Sequence, residues 1–508
     1  MKFNLNIPLH SLSPKELEIL QYVHDHSDEV ISMSIQAFAK EINYSTSTVI
    51  RFCRKLGFSG FPEFKYFLKN LNIQKDLNPA PSDISVESIK NSMKSDLEST
   101  ASLLGSDDLF QIAKLLSSDR SIYLYSPAGL TDISVSYLES MLFISGCQKI
   151  FKTTASKALR HFIQTADKGS VFIFISNSGR FESTLNLAKE ARFHGMTVIS
   201  ISSIENNDLA EVSNYNLRFF SKKHENDGAD LTSRLCSFFV LSSFIEYFSA
   251  YKKALNMKTF LNQIDPSDFS DNDRLILAYF MEHKNHLPYL SLSDICKDLY
   301  LSNATIVRFC QKLGFEGFNE LKFALRNELN ASSDFSNSWQ LLQHRTAVLK
   351  DFIDNIDSEK IRHICTQISE SEFLYIYGRN MSSLPAKYLH AMLNSMDIPC
   401  IYIDWIAFLR ALSKSIPENA TLILFTNYGE KSTYQPIIEF CHARRVNIIW
   451  ISSSDVDKSM IDPSDTYIWT QELPLEHVHQ RTKMTSFVVI QMILEYLYNH
   501  LNKQEDLL

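Results

Sequence analysis

Two arginines, Arg51 and Arg308, open segments that repeat almost letter for letter. RFCRKLGFSGF starts at Arg51 and RFCQKLGFEGF at Arg308, with nine of eleven residues alike at an offset of 257. Ser47, Thr48, Arg54 and Lys55 stand three or four residues to either side of Arg51. At 100° per residue these five side chains fall on one face of a helix, and Val49, Phe52, Cys53 and Leu56 fall on the opposite face. Hydroxyl and guanidinium groups are the side chains that reach phosphates and base edges of duplex nucleic acid. No carboxylate interrupts them. A solvated basic face on a small bundle is the plainer reading of one such helix, but its recurrence in both copies favours nucleic acid.

The elements that must position these residues repeat as well. Ser13, Ser34 and Ser45 align with Ser270, Ser291 and Ser302, and each stands where a helix should start. Ser13-Pro14-Lys15-Glu16 has the form of a capping box with proline at the first helical position. Apolar residues then recur at helical spacing, at Leu17, Leu20 and Val23 and at Leu275, Leu277 and Phe280. The three-residue breaks Asn43-Tyr44-Ser45 and Tyr300-Leu301-Ser302 lead into helices predicted over Thr46–Leu56 and Asn303–Leu313, ended by Gly57 and Gly314. A helix, a short turn and a second helix form a helix-turn-helix outline. Ser45 and Ser302 read as caps first and phosphate ligands second.

Between and after these copies the chain changes character. QKDLNPAPSDIS reads as a linker, and short apolar runs then alternate with helical segments: SIYLY (121–125), CQKIF (147–151), VFIFI (171–175) and TVISIS (197–202). The second half repeats the beat with EFLYIY (372–377), CIYID (400–404), TLILF (421–425) and VNIIWIS (446–452). Such runs predict parallel strands buried on both faces, hence a doubly wound sheet in each half. The expected fold is therefore multidomain, with two all-α helix-turn-helix domains (1–75 and 264–330) alternating with two α/β doubly wound parallel-sheet domains (109–255 and 361–508). Residues 76–108 and 331–360 would be linkers with connecting helices.

The bulk numbers bound the function. At 508 residues the chain exceeds a single core. A net charge of −8 argues against nucleic-acid binding by bulk charge, though not against a local basic face. Eight cysteines without a CxxC pair fit reduced thiols in a cytoplasmic protein with neither zinc site nor disulfide framework. No run approaches the ~20 apolar residues of a membrane helix. No cofactor or metal is expected.

In open α/β sheets ligands sit at the carboxyl ends of strands. There the first half places Ser176-Asn177-Ser178-Gly179 directly before the helical FESTLNLAKEAR, a pattern suited to cradling phosphate with hydroxyls, a glycine and a helix N-terminus. The plainer reading is an ordinary strand-to-helix turn. The second half offers Ser382, Thr426, Asn427 and Gly429, with Arg379 and Lys431 as nearby cations.

The repeated S-x-x-T-V/I-x-R-F-C-x-K-L-G-F-x-G-F pattern resembles the N-terminal domain of the RpiR family of phosphosugar-responsive transcriptional regulators. That resemblance implies that Thr46–Leu56 and Asn303–Leu313 are recognition helices, and that the α/β halves are sugar-isomerase (SIS) domains binding a phosphosugar at S-x-S-G. DNA contacts would come from Thr46, Ser47, Thr48, Arg51, Arg54 and Lys55 and from Asn303, Thr305, Arg308, Gln311 and Lys312. Lys55 and Lys312, at the edge, would anchor phosphates. Arg54 would favour guanine where Gln311 favours adenine. The sequence departs from the family pattern at Phe181, which replaces a threonine, and at Ser126-Pro127-Ala128-Gly129-Leu130, which replaces G-x-G-x-S. In the second half Tyr428 and Lys431 replace a serine and a threonine. The first half retains more of the cradle.

The expected partners are a double-stranded DNA operator and a sugar-phosphate effector, without a membrane. The two halves would form an intramolecular pseudo-dimer, or the chain a homodimer through its SIS domains. The alternative is a sugar-phosphate isomerase or aminosugar enzyme. Isomerisation needs a positioned base, for which Glu182, His224, Glu225, Glu476, His477 and His479 are the candidates. No two of them correspond between the halves, so no catalytic residue is assigned and the chain is read as a non-enzyme.

Overall fold

The computed structural model describes residues 12–56, 60–62, 64–65, 68, 85–204, 208–221, 225–226, 229–256, 261, 264–283, 287, 290–322, 324–325, 338–427, 429–453, 456–472 and 481–505. The chain forms two compact units: Met1–Phe248 with Leu342–Leu508, and Ser249–Leu341.

Within the first unit the N-terminal segment folds as α1 (Pro14–Asp25), α2 (Ser27–Ser32), α3 (Ile35–Glu41) and α4 (Thr46–Lys55). Ser13 and Glu16 complete the expected capping box, Ser34 accepts the N–H of Ala37, and Ser45 accepts that of Thr48. Each serine supplies a side-chain oxygen to an N–H of the helix's first turn. The break between α3 and α4 passes through Asn43 at φ 56°, a left-handed conformation that a short polar side chain tolerates. Val49, Phe52 and Cys53 of α4 are buried with Leu20, Val23, Phe38 and Phe64.

That core also takes in Leu103, Ile204 and Phe220, so the N-terminal bundle is seated on the first α/β lobe. Gln21 Nε2 donates to the carbonyl of Ser221 at 3.4 Å. The His24 ring lies 5.3 Å from that of Phe220, with Asp96 of α5 (Val86–Leu103) 3.6 Å from its Nε2.

The first lobe holds β1 (Ile122–Tyr125), β2 (Ile150–Thr153), β3 (Val171–Ile175), β4 (Thr197–Ser203) and β5 (Tyr215–Phe219), all parallel in the order β2-β1-β3-β4-β5. Helix α6 (Leu130–Ile144) follows β1, and α7 (Leu235–Asn256) closes the lobe.

The second unit repeats the helix order of the N-terminal bundle with α8 (Asp271–Glu282), α9 (Leu292–Leu299) and α10 (Asn303–Lys312), capped by Ser270, Ser291 and Ser302. Its turn carries Tyr300 at φ 54°, almost fully exposed. Ile306, Phe309 and Cys310 are buried among Ile276, Phe280, Ile295 and Phe318.

Helix α11 (Ser338–Asn355) leads into the second lobe, with β6 (Leu374–Gly378), β7 (Ile401–Ile403), β8 (Thr421–Thr426), β9 (Asn447–Ser452) and β10 (Thr466–Trp469). Their order, β7-β6-β8-β9-β10, is that of the first lobe, again all parallel. Helices α12 (Ser383–Ser395), α13 (Lys431–Ala443) and α14 (Met484–Glu505) complete it.

The strands expected to be buried on both faces, 121–125, 171–175 and 197–202 with their counterparts, appear within a residue or two of their expected limits. The runs 147–151 and 400–404 are corrected: their strands, Ile150–Thr153 and Ile401–Ile403, are sheet edges with partly exposed residues, not strands buried on both faces, and Cys147 precedes the first. The fifth strand of each sheet, Tyr215–Phe219 and Thr466–Trp469, was not anticipated. These are edge strands; Asn216 and Arg218 interrupt the continuous apolar run in the first, and the second is only four residues long. Gly57 lies outside the described residues. Among those described, no helix is long and apolar enough to cross a membrane.

The two lobes meet through equivalent residues. Phe238 of α7 stacks on Phe487 of α14 with centroids 3.8 Å apart and planes 12° apart, both fully buried. Tyr137 and Tyr388 occupy matching places in SYLESML and KYLHAML. Tyr137 Oη donates to the carbonyl of Thr482 at 2.7 Å, and Tyr388 Oη accepts the N–H of Arg234 at 3.1 Å. Each tyrosine thus reaches the residues just ahead of the other lobe's final helix. Lys90 donates to the carbonyls of Asp354 and Ile356, and Arg345 pairs with Glu246.

Phe487→Ala should lower the stability of the first unit by about 3–5 kcal/mol, because it empties the centre of this contact. Phe193→Ala, at an 87% exposed position, should change it little. Urea unfolding followed by far-UV circular dichroism separates the two, and equal midpoints would contradict a shared interlobe core.

Candidate nucleic-acid interface and ligand cavity

The outer faces of α4 and α10 are built from the inside out. Three buried side chains hold each helix, and the opposite side stays open. Thr46, Ser47, Arg51, Arg54 and Lys55 are exposed on α4, as are Asn303, Arg308, Gln311 and Lys312 on α10. Thr48 and Thr305 are half-buried, their hydroxyls paired with the cap serines at 2.8 Å to Ser45 and 2.9 Å to Ser302. Arg51 and Arg308 make no ion pair among the described residues.

The edge lysines behave differently. Lys55 Nζ pairs with Glu16 at 2.6 Å, and Lys312 Nζ with Asp273 at 3.1 Å and with the carbonyl of Asp268 at 3.0 Å. Burial raises the Glu16 carboxyl, but Lys55 and Ser13 together hold it below its usual range; Ser270 and Lys312 do the same against burial for Asp273. The two lysines therefore clamp the ends of α4 and α10 to the starts of α1 and α8. Burial pushes the Cys53 and Cys310 thiols up to about 12, so they remain protonated core groups. Gln311 Nε2 leans on the Glu316 carbonyl at 3.4 Å.

In the first lobe the S-x-S-G loop lies at the end of β3. The Ser176 hydroxyl accepts the Gly179 N–H at 3.2 Å and so closes the turn. Ser178 is exposed and accepts the Arg180 N–H at 3.4 Å. Asn177 gives its carbonyl to the Ser203 N–H at 3.0 Å. After β1, Ala128 has φ 78° at the place of a family glycine, so the backbone keeps a left-handed turn despite the added methyl.

The second lobe opens a cavity of about 650 Å³ at the carboxyl ends of β6 and β8. Four sequence-predicted residues, Ser382, Thr426, Asn427 and Gly429, line it with Tyr377, Arg379, Ile406 and Tyr434. Ser140, Phe143 and Ile144 of α6 supply a wall from the first lobe. Thr426 accepts the Gly429 N–H at 3.2 Å, reproducing the Ser176–Gly179 turn. Gly378 is required by close approach, since a Cβ there would stand 2.3 Å from the Ser382 carbonyl oxygen.

Lys431 is directed elsewhere, to Ser459 Oγ at 2.8 Å and Asp457 at 3.8 Å. Of the two cations expected near the cavity, Arg379 lines it. Lys483, which the sequence reading missed, donates to Asn427 Oδ1 while 2% exposed and at φ 62°. It aligns with Arg234 when TSRLCSF is set against RTKMTSF, and a lysine beginning so apolar a helix was the available signal.

Of the candidate catalytic groups, Glu182 is exposed in the first turn of its helix, where a carboxylate complements the dipole. His224, Glu476, His477, His479 and the Glu225 side chain lie outside the described residues.

The rpiR-family helix-turn-helix model matches residues 2–75 and again 256–332, and the SIS-domain model matches residues 140–247. The HTH-type transcriptional regulator GlvR of Bacillus subtilis is 27% identical over 211 residues, which is 42% of this chain and 80% of that protein. An uncharacterised HTH-type transcriptional regulator of Clostridium perfringens is 24% identical over 253 residues, 47% of this chain and 88% of its own length. Among solved structures, the C-terminal domain of glucosamine-fructose-6-phosphate aminotransferase from Francisella tularensis aligns with TM-score 0.50 and 11% identity. That alignment covers 83% of this chain and 97% of the other, so it takes in both lobes; at this identity it speaks for the fold alone.

Burial pushes the Lys483 ammonium down to about 8, against the pull of Glu472 and with Arg481 adding to the depression. Unfolded, the lysine holds its proton up to its ordinary value of 10.5. Between these values the unfolded chain binds more protons, so this group makes stability rise with pH from about 8 to 10.5. Comparing urea midpoints of wild type and Lys483→Met across that range should show the rise in wild type and its loss in the variant; parallel curves would contradict a buried ammonium.

Proposed function

Since the chain belongs to the RpiR family of HTH-type transcriptional regulators, we propose that it reads an operator in double-stranded DNA with two heads on one polypeptide and answers to a sugar phosphate of carbohydrate metabolism. In this reading residues 1–75 and 264–330 are the heads, and residues 109–255 and 361–508 are paired SIS lobes.

The observation that carries it is the matched pair of helices α4 and α10. Each is capped by serine, held by three buried side chains, and leaves an arginine exposed at the centre of its outer face. Such a helix, placed after a tight turn, fits the major groove with its arginine toward base edges or phosphates. The heads differ at Thr46/Asn303, Ser47/Ala304 and Arg54/Gln311, so the two half-sites would differ in sequence. Contacts between Phe238 and Phe487 and between each tyrosine and the opposite lobe support the pseudo-dimer within a single chain.

An operator selected from a random duplex pool provides the test. Arg51→Ala and Arg308→Ala should each weaken binding by about 1–3 kcal/mol in fluorescence anisotropy at fixed salt. Full affinity in both variants would contradict this assignment.

A further inference from the structure

The outer surface of one helix in the second lobe differs in kind from its counterpart in the first. An offset of 250 residues matches the elements of the two lobes in this region, setting buried Leu159 on Leu409, Leu187 on Ile437 and Ala191 on Cys441. In the first lobe the helix Ser156–Thr165 and the residue before it carry an ordinary surface of Ala155, Lys157, Ala158 and His161, with Arg160 paired to Glu190 at 2.9 Å. The same places in the second lobe, at the helix Ile406–Ser413, hold Trp405, Ala407, Phe408 and Ala411, and Phe440 of α13 stands where Glu190 does. Trp405, Phe408 and Phe440 are between 41% and 68% exposed. Single exposed apolar side chains are normal on a protein surface. Here each of five exchanges makes the same face more apolar.

At 100° per residue, Trp405 and Phe408 lie along one edge of that surface and Arg410 and Lys414 along the other, with Ala407 and Ala411 between them. All six are exposed. Small residues between two raised edges leave a shallow trough along the helix. The cationic edge borders α13: Arg410 Nη2 donates to the Thr433 carbonyl at 3.5 Å, and Lys414 Nζ lies 5.9 Å from the centre of the Phe440 ring. With Phe440 in place of a glutamate, neither cation has an ion pair among the described residues. Three exposed carboxylates, Asp404, Glu418 and Glu439, are close in sequence, and none of them pairs with either.

We propose that this face of the second lobe docks an acidic amphipathic helix of a partner protein, its apolar stripe laid in the trough against Trp405 and Phe408 and its carboxylates toward Arg410 and Lys414. Tryptophan and arginine are enriched where proteins meet, and a helix laid in an apolar groove is a recurring mode of recognition. Charge selects the occupant. Two cations without ion pairs call for carboxylates, whereas a second copy of this chain would bring the same two cations with it. The first lobe, with alanines and a closed Arg160–Glu190 pair at these places, offers no such surface, so one partner binds per chain. The docking face is separate from the two reading heads, and its use depends on neither DNA nor sugar-phosphate binding.

A displayed library of helical peptides tests this on the full chain, with a leucine stripe fixed and the flanking positions free to be Glu, Lys or Ser. Selection should enrich Glu. In fluorescence anisotropy with the best peptide, Trp405→Ala should raise Kd by roughly tenfold. Phe440→Glu, which recreates the Arg160–Glu190 pair of the first lobe, should weaken binding in the same direction, as should Lys in place of Glu in the peptide. Both variants install residues that the first lobe carries at the matching places, and thermal melts equal to wild type check that the fold is kept. Enrichment of Lys, enrichment of no peptide, or wild-type affinity in either variant would overturn the proposal. So would a sedimentation mass of two chains that Trp405→Ala returns to one, since the face would then belong to a second copy.

Discussion

Burial of three side chains on each of α4 and α10 is the interaction on which the rest depends: Val49, Phe52 and Cys53 in one, Ile306, Phe309 and Cys310 in the other. Each fully buried apolar side chain contributes about 1.5–3 kcal/mol. Like charges three or four residues apart on the open side cost only about 0.2–0.5 kcal/mol per pair. The apolar face therefore wins comfortably, and a helix can display Arg51, Arg54 and Lys55 with no carboxylate among them. The cap serines and the lysine clamps to Glu16 and Asp273 add to the same end by fixing where each helix begins and how its far end is tied down.

The two α/β lobes extend this logic of duplication with divergence. Their sheets share strand order, and their final helices meet through the equivalent pair Phe238 and Phe487. What has diverged is the rim at the strand ends. The first lobe keeps more of the S-x-S-G letters, whereas the second has a cavity with Arg379 and Tyr377 in its lining. The lobe that matches the SIS-domain model by sequence and the lobe with the described 650 Å³ cavity are thus different ones.

Much of the fold was legible in the sequence because its causes are local. Serine caps, a three-residue break and 3.6-residue periodicity mark the helix-turn-helix copies, and the central strands announce themselves as unbroken apolar runs. The edge strand Tyr215–Phe219 escaped because Asn216 and Arg218 break its apolar run, and Thr466–Trp469 because it is only four residues long. The site was less legible, since its decisive features depend on residues far apart in sequence. Phe143 joins the cavity wall only once the two lobes are seen to meet, and Lys483 stands out only once it is seen to reach Asn427. Lys55 and Lys312 read as phosphate anchors from helix position alone; their partners 39 residues upstream give them a structural task as well.

The claim at the centre is that one chain carries two unlike reading heads that act together on one operator. Hydroxyl-radical footprinting of the intact chain on a selected operator, with the mass of the complex measured in the same buffer, addresses it most directly. The account predicts one chain protecting two major-groove faces about one helical turn apart, with unlike base sequences beneath them. A perfectly palindromic protected site, or protection of a single face that survives deletion of residues 264–330, would contradict it.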